Sequence, residues 1–219
     1  MKLYLSSYRL GNNIELLKEW VKNNKKMLVI PNALDVFADG ERKSNGINDK
    51  CEDLHKLGFE TEILDLRKYF NKKNELRDYL KSYNSFYVLG GNVFVLRQAM
   101  KLSGFDKYLL EISNNPNYLY SGFSAGICVL AKDLHGIHLA DDETQKPYGD
   151  NDIVWQGVGL IDYMPVPHFD TPNHPESHLM NGVVDYLQKN NLRYKTLKDG
   201  EVIVEDLMAK SINLGERKV

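Results

Sequence analysis

Hydrophobic positions along the chain fall into two alternating patterns. Short continuous apolar runs are followed by longer stretches in which apolar residues recur every three or four positions. Lys2 to Ser7 opens as a strand, and Ile14 to Lys22 follows as a helix with Leu16, Leu17, Trp20 and Val21 along one face. Met27 to Pro31 is an unbroken apolar run closed by proline, as expected of a strand buried on both faces of a parallel sheet. A polar loop, Asp39 to Asn45, then leads to a helix from Ile47 to Leu57 ended by Gly58, and to a strand from Glu60 to Asp65. Asn74 to Tyr83 reads as a charged surface helix and Phe86 to Leu89 as a fourth strand, closed by Gly90-Gly91-Asn92 before a new helix begins at Val93. Tyr108 to Ser113 is a further helix, and Tyr118-Leu119-Tyr120 a further strand. Beyond it, Gly136 to Ala140 reads as a short strand running into Asp141-Asp142-Glu143, followed by a polar insertion from Thr144 to Asp152. Val158 to Tyr163 reads as another short strand, Glu176 to Lys189 as a helix, and Tyr194 to Leu197 with Val202 to Val204 as a hairpin about Asp199-Gly200. The repeated βα order predicts an α/β fold, a three-layer, doubly wound and mostly parallel sheet, with residues 1–219 as a single domain.

Gly122-Phe123-Ser124-Ala125-Gly126 stands between the predicted strand at Tyr118 and the apolar stretch Ile127 to Ala131. This is a G-x-S-x-G pattern in the strand–turn–helix context of a nucleophile elbow, where a sharp turn projects the serine hydroxyl from the end of a sheet. Glycines on both sides let neighbouring backbone approach the turn closely. The helix that follows aims its first amides at the site, so the Ala125 N–H is a candidate oxyanion donor. The Gly90-Gly91-Asn92 junction ends another predicted strand, at the edge where parallel sheets place ligands.

Composition narrows the partners. At 219 residues and 42% hydrophobic the chain suits one sizeable α/β domain, and 28 lysines and arginines nearly balance 30 aspartates and glutamates. No basic field suggests nucleic acid or an anionic membrane, and no apolar run has the length to span a bilayer. The expected partner is a small molecule or small peptide, the expected location the cytoplasm, and a homodimer is compatible with the sequence. Cys51 and Cys128 show no disulfide or metal spacing and read as packing residues; no cofactor is expected.

An activated serine needs a base and a group that orients the base. Of the six histidines, His55, His135 and His138 read as packing or surface residues, and His174 with His178 have metal-ligand spacing without a third ligand. His168, in Pro165-Val166-Pro167-His168-Phe169-Asp170, is fixed by proline-restricted backbone where a catalytic loop belongs; the competing reading is a loop histidine satisfied by a backbone carbonyl. Asp141 and Asp142, after the strand predicted beyond the elbow, are the candidates for the orienting acid.

Taken in order, Leu89 to Leu96 with its Gly-Gly-Asn turn, Gly122 to Gly126, and Gly159-Leu160-Ile161-Asp162 followed by Pro167-His168-Phe169 resemble the cytosolic serine peptidases of the peptidase E (aspartyl dipeptidase) type. That family is related to cyanophycinase and built on a class I glutamine amidotransferase-like fold. The resemblance covers most of the chain. It implies a dipeptidase-like Ser–His–Asp triad with Ser124 as nucleophile, His168 as base, an aspartate downstream of the elbow, and an oxyanion donor from the Gly90-Gly91 turn beside Ala125. Extra residues around Tyr148 to Asp152 prevent placing the acid by counting, and strand position favours Asp141 or Asp142. No arginine occurs between Arg97 and Arg193 to pair a substrate carboxylate, which leaves Lys132 or Lys146 as stand-ins and predicts weak preference for an N-terminal aspartate. An α/β esterase shares the elbow, and an inactive binding relative would retain it as a relic.

Overall fold

The computed structural model describes residues 1–150 and 152–209. A six-stranded sheet forms its centre, in the order β3-β2-β4-β5-β1-β8. β1 (Lys2–Ser6), β2 (Lys26–Ile30), β3 (Glu60–Ile63), β4 (Ser85–Val88) and β5 (Leu119–Phe123) are mutually parallel, and β8 (Val202–Asp206) runs antiparallel along the free edge of β1. The inner strands are apolar at nearly every position because both of their faces are covered. Leu3, Leu5, Leu28, Ile30, Phe86 and Val88 point into one core, while Tyr4, Met27, Val29, Tyr87 and Leu89 point into the other.

Helices α1 (Glu15–Val21) and α2 (Glu41–Lys56) close the second core with Leu17, Trp20, Ile47, Cys51 and Leu54. The first core is closed by α3 (Lys73–Leu80), α4 (Val93–Ser103), α5 (Phe105–Ile112), the four-residue α6 (Ala125–Cys128) and α7 (Ser177–Lys189). Helices on both faces of a mostly parallel sheet are the predicted three-layer architecture. Both cysteines are buried, as their packing role requires.

Four sequence expectations change. Helix α2 begins at Glu41, so most of the polar stretch expected as a loop is its exposed first turns, where no apolar periodicity could reveal a helix. The stretch expected as a strand at Gly136 to Ala140 is a 3₁₀ turn, Ile137–Leu139, entered through Gly136 at φ 99°. Val158 to Tyr163 forms no strand; the amides of Val158, Gly159, Leu160 and Ile161 donate to Val129, Ala131 and Leu130 carbonyls and so cap the end of the elbow segment. The expected terminal hairpin is absent as well: β7 (Tyr194–Thr196) pairs in parallel with β6 (Met164–Val166) in a separate two-stranded sheet, and β8 crosses to β1. Glu201 O and Gly200 O accept from Ser7 N and Asn12 N, which lays the Asp199-Gly200 turn against the end of β1. Asn151, inside the insertion, and 210–219 lie outside the described residues.

Candidate active site

The carboxyl ends of β1, β2, β4 and β5 open onto one cavity of about 680 Å³, the edge at which a parallel sheet presents its ligand site. Ser124 lies at its floor, immediately after β5. Its backbone is held at φ 51° and ψ −124°, a strained setting for a residue with a side chain. Close packing holds it there: a Cβ on Gly126 would lie 2.3 Å from Val88 O, and one on Gly122 would lie 2.7 Å from the same atom. Tyr120 Oη adds a hydrogen bond of 2.6 Å to Gly126 O from beneath. The Gly90-Gly91 turn packs against this elbow, with Gly90 too close to the Phe123 ring and Ser124 Cβ to carry a side chain, and Gly91 at φ 144° against Ala33 O. Asn92 lines the cavity but spends its side chain on structure, accepting from Phe94 N and Val95 N as the cap of α4 and donating to Asp142 O at 2.8 Å.

His168 faces the same cavity and is only 2% exposed. Its backbone is also left-handed, at φ 58°. Segments from distant parts of the chain hold it. The His168 N–H donates to Ser7 Oγ at 2.8 Å, and Ser7 Oγ donates to Asp199 Oδ1 at 2.8 Å. His168 Nδ1 lies 2.7 Å from that same carboxylate oxygen, and Asp199 N donates to Thr171 Oγ1 at 3.0 Å. Burial lowers the imidazole pKa below its ordinary 6.5; Asp199 opposes that shift and His174 adds to it.

The carboxylate on His168 is therefore Asp199, and neither Asp141 nor Asp142 takes that place. Asp141 lines the cavity without contact to His168, accepting from Val93 N at 2.7 Å, and burial pushes its pKa up to about 7. Asp142 is exposed and turns back on its own loop, accepting from Thr144 and Gln145, which hold its pKa below the usual carboxylate value. The expectation failed because it placed the acid at the end of a strand that the chain does not form. Asp199 had been assigned to a hairpin turn, and only its proximity to a β1-edge crossover brings it to His168.

His174 does not share a helix face with His178, because it precedes α7, where His178 is exposed. It lies instead over His168, ring on ring. Ligand atoms of His168, His174 and Asp199 fall within 4.8 Å of one another. Two imidazoles stacked in parallel planes cannot both aim an in-plane lone pair at one ion, so the cluster as built is not a metal cage. His55 bonds Thr61, and His135 stacks on Trp155 beside His138, all away from the cavity.

The cavity is lined by charge of both signs: Arg42, Lys43 and Lys50 from α2, and Asp141, Asp142 and Glu176. Lys43 is already paired with Asp35 at 2.6 Å and Asp39 at 2.9 Å. Lys132 and Lys146 do not line the cavity, and Lys146 pairs with Asp150. Arg42 and Lys43 come from the first turns of α2, expected as a loop, and Lys50 from the part of it expected as a helix, all remote in sequence from the elbow.

Comparison with known proteins identifies the chain. Residues 6–208 match peptidase family S51. The chain belongs to that family, the peptidase E family. It is 30% identical over 140 residues to an uncharacterized peptidase of Listeria monocytogenes serovar 1/2a, a match spanning 64% of each protein. It is 28% identical over 138 residues to an uncharacterized peptidase of Listeria innocua, spanning 61% of this chain and 62% of that one. The chain thus spans a little under two thirds of the length of these relatives. A crystal structure assigned by name to peptidase E, from Listeria monocytogenes EGD-e, superposes with a TM-score of 0.72 at 24% identity, covering 94% of this chain and 98% of that one. The structure of a peptidase from an acI-B1 actinobacterium gives 0.64 at 17% identity, covering 93% and 82%. The chain shares the α/β fold of these two structures. Among the described residues no helix is long and apolar enough to cross a membrane.

Proposed function

We propose that this S51 peptidase cleaves short peptides through an acyl-enzyme, with Ser124 as nucleophile, His168 as general base and Asp199 as the carboxylate that orients the base, all within one domain. The observation that carries this reading is the 2.7 Å contact between His168 Nδ1 and Asp199, with His168 and Ser124 lining one cavity. A proton held on Nδ1 by Asp199 leaves the Nε2 lone pair free to accept from the Ser124 hydroxyl as its oxygen attacks the substrate carbonyl. The oxyanion that forms is met by the Ala125 N–H and the Gly90-Gly91 turn. His168 then returns the proton to the departing amine, and water repeats the sequence in reverse to release the acid. Because burial keeps His168 neutral below its ordinary range, the base is available at pH 7.

A lining with charge of both signs favours short substrates with charged ends: a dipeptide's ammonium suits Asp141 and Glu176, and a carboxylate suits Arg42 or Lys50. The expected weak preference for N-terminal aspartate rested on a cation gap in the sequence, and α2 now brings cations into the cavity, which makes α2 the place to test that preference. The test of the reading is turnover of a dipeptide panel by the wild type and by Ser124→Ala. Loss of turnover by about 10⁶-fold is expected, with the fold intact. Retention of more than about a tenth of wild-type turnover would remove Ser124 as nucleophile.

A further inference from the structure

We propose that His174 is a positioning residue for His168: its ring, laid face to face on the base, fixes the plane of that imidazole and keeps water from one of its faces. The proposal rests on the assignment of His168 as base. Ring centroids of the two histidines are 3.6 Å apart with an angle of 1° between planes. Tyr8 presents its ring edge-on to both, at 6.2 Å from His168 and 5.9 Å from His174.

The local chain is built to bring this about. His168 and Asp170 both take left-handed backbone, at φ 58° and 49°, which turns residues 169–176 back over the histidine. That return is stitched by Thr171 N to Ser177 Oγ at 2.9 Å, His174 N to Thr171 O at 2.9 Å and Ser177 N to His174 O at 3.1 Å. The Glu176 N–H donates to His174 Nδ1 at 3.3 Å. That contact ties the edge of the ring to the backbone and fixes its orientation over His168.

The charged and titratable groups facing His168 are Asp199 from the turn after β7, His174 and Glu176 from the segment before α7, and Tyr8 from the loop after β1. Asp199 favours the imidazolium, whereas burial and His174 disfavour it. Burial is the main cause that lowers the His168 pKa, and removing the His174 ring hydrates that imidazole, so its midpoint should move upward.

The experiment compares the wild type with His174→Ala and His174→Phe, using two readouts that need no knowledge of the natural substrate. The His168 imidazole is titrated by NMR, assigned by its absence in His168→Gln. The rate of Ser124 modification by a small fluorophosphonate is measured at neutral pH. The expected result for His174→Ala is an upward shift of the His168 midpoint and labelling slowed by at least about tenfold, with His174→Phe, which restores an aromatic face, recovering most of the rate. A midpoint and labelling rate unchanged in both variants would overturn the proposal. Loss of rate in His174→Ala without recovery in His174→Phe would also overturn it, because the Nδ1 contact to Glu176 rather than the stack would then be the cause. Should the alanine variant fail to fold, His174→Phe against His174→Gln gives the same comparison. Failure of wild-type Ser124 to label at all would instead refute the parent assignment, while the NMR midpoint would still decide the role of His174.

Discussion

The two sides of the cavity both hold a residue in left-handed backbone, and they do it by different means. On the elbow side, Ser124 is confined by volume: Gly90, Gly122 and Gly126 leave no space for a Cβ against Val88 and Phe123. On the histidine side, His168 is confined by hydrogen bonds from Ser7, Asp199 and, through Asp199, Thr171. Close packing tolerates no added atom, whereas a polar network tolerates the loss of a member at the cost of whatever partner is left unsatisfied. The nucleophile is therefore expected to respond to substitution all or none, and the base in steps.

The largest expected effect separates the carboxylates. Asp199→Asn should lower kcat/KM by about 10⁴-fold, since an amide at this position stabilises the wrong tautomer of His168 and no imidazolium. Asp141→Asn and Asp142→Asn should each leave kcat within about tenfold of wild type, because neither touches His168, while Asp141→Asn raises KM through the lost ammonium partner. Steady-state kinetics on the three purified variants checks this, and a collapse in Asp141→Asn with an active Asp199→Asn would reverse the assignment.

The contrast between volume and network is sharpened by a second pair. Gly126→Ala should destabilise by about 3 kcal/mol, its new methyl falling 2.3 Å from Val88 O with only backbone to give way. Ser7→Ala should cost on the order of 1 to 2 kcal/mol, from the buried His168 N–H left without its acceptor, and should slow catalysis by about tenfold as His168 loosens. Urea unfolding of both variants measures the difference, and equal costs would mean that the two sides are not held differently.

The same contrast explains what could be read from the chain. The parallel sheet was legible because its inner strands are buried on both faces and so appear as unbroken apolar runs, as in Met27 to Ile30 and Phe86 to Leu89. The elbow was legible because its glycines are local requirements of one turn. His168 could be singled out from the prolines around it. Asp199 could not, since its place depends on β8 leaving β7 to join β1, a pairing between opposite ends of the chain. Ser7 and His174 carry no local signal for the same reason. Arg42 was hidden because the first turns of α2 have no apolar repeat to announce them, and Lys50, on the announced part of that helix, because only the tertiary packing brings α2 to the cavity.

The smallest expected effect concerns Asp141. A carboxyl whose pKa is raised to about 7 in the folded protein holds a proton that the unfolded chain has released, so its contribution to stability is greatest at low pH and declines between about pH 4 and 7. Asp141→Asn keeps an acceptor for Val93 N–H and removes the buried charge. Its melting temperature should exceed that of the wild type near pH 8, and the gain should shrink near pH 5. A gain that is the same at both values would show that Asp141 ionises normally.

The central claim is that Ser124 is activated by His168, and the most direct measurement is the pH dependence of Ser124 labelling by a small fluorophosphonate, read by intact mass and peptide mapping. The account predicts a single adduct on Ser124, a rate that falls on the acid side with a midpoint below the ordinary histidine value of 6.5, and labelling abolished in His168→Gln. Adduct on another residue, or a Ser124 rate that His168→Gln leaves unchanged, would contradict it.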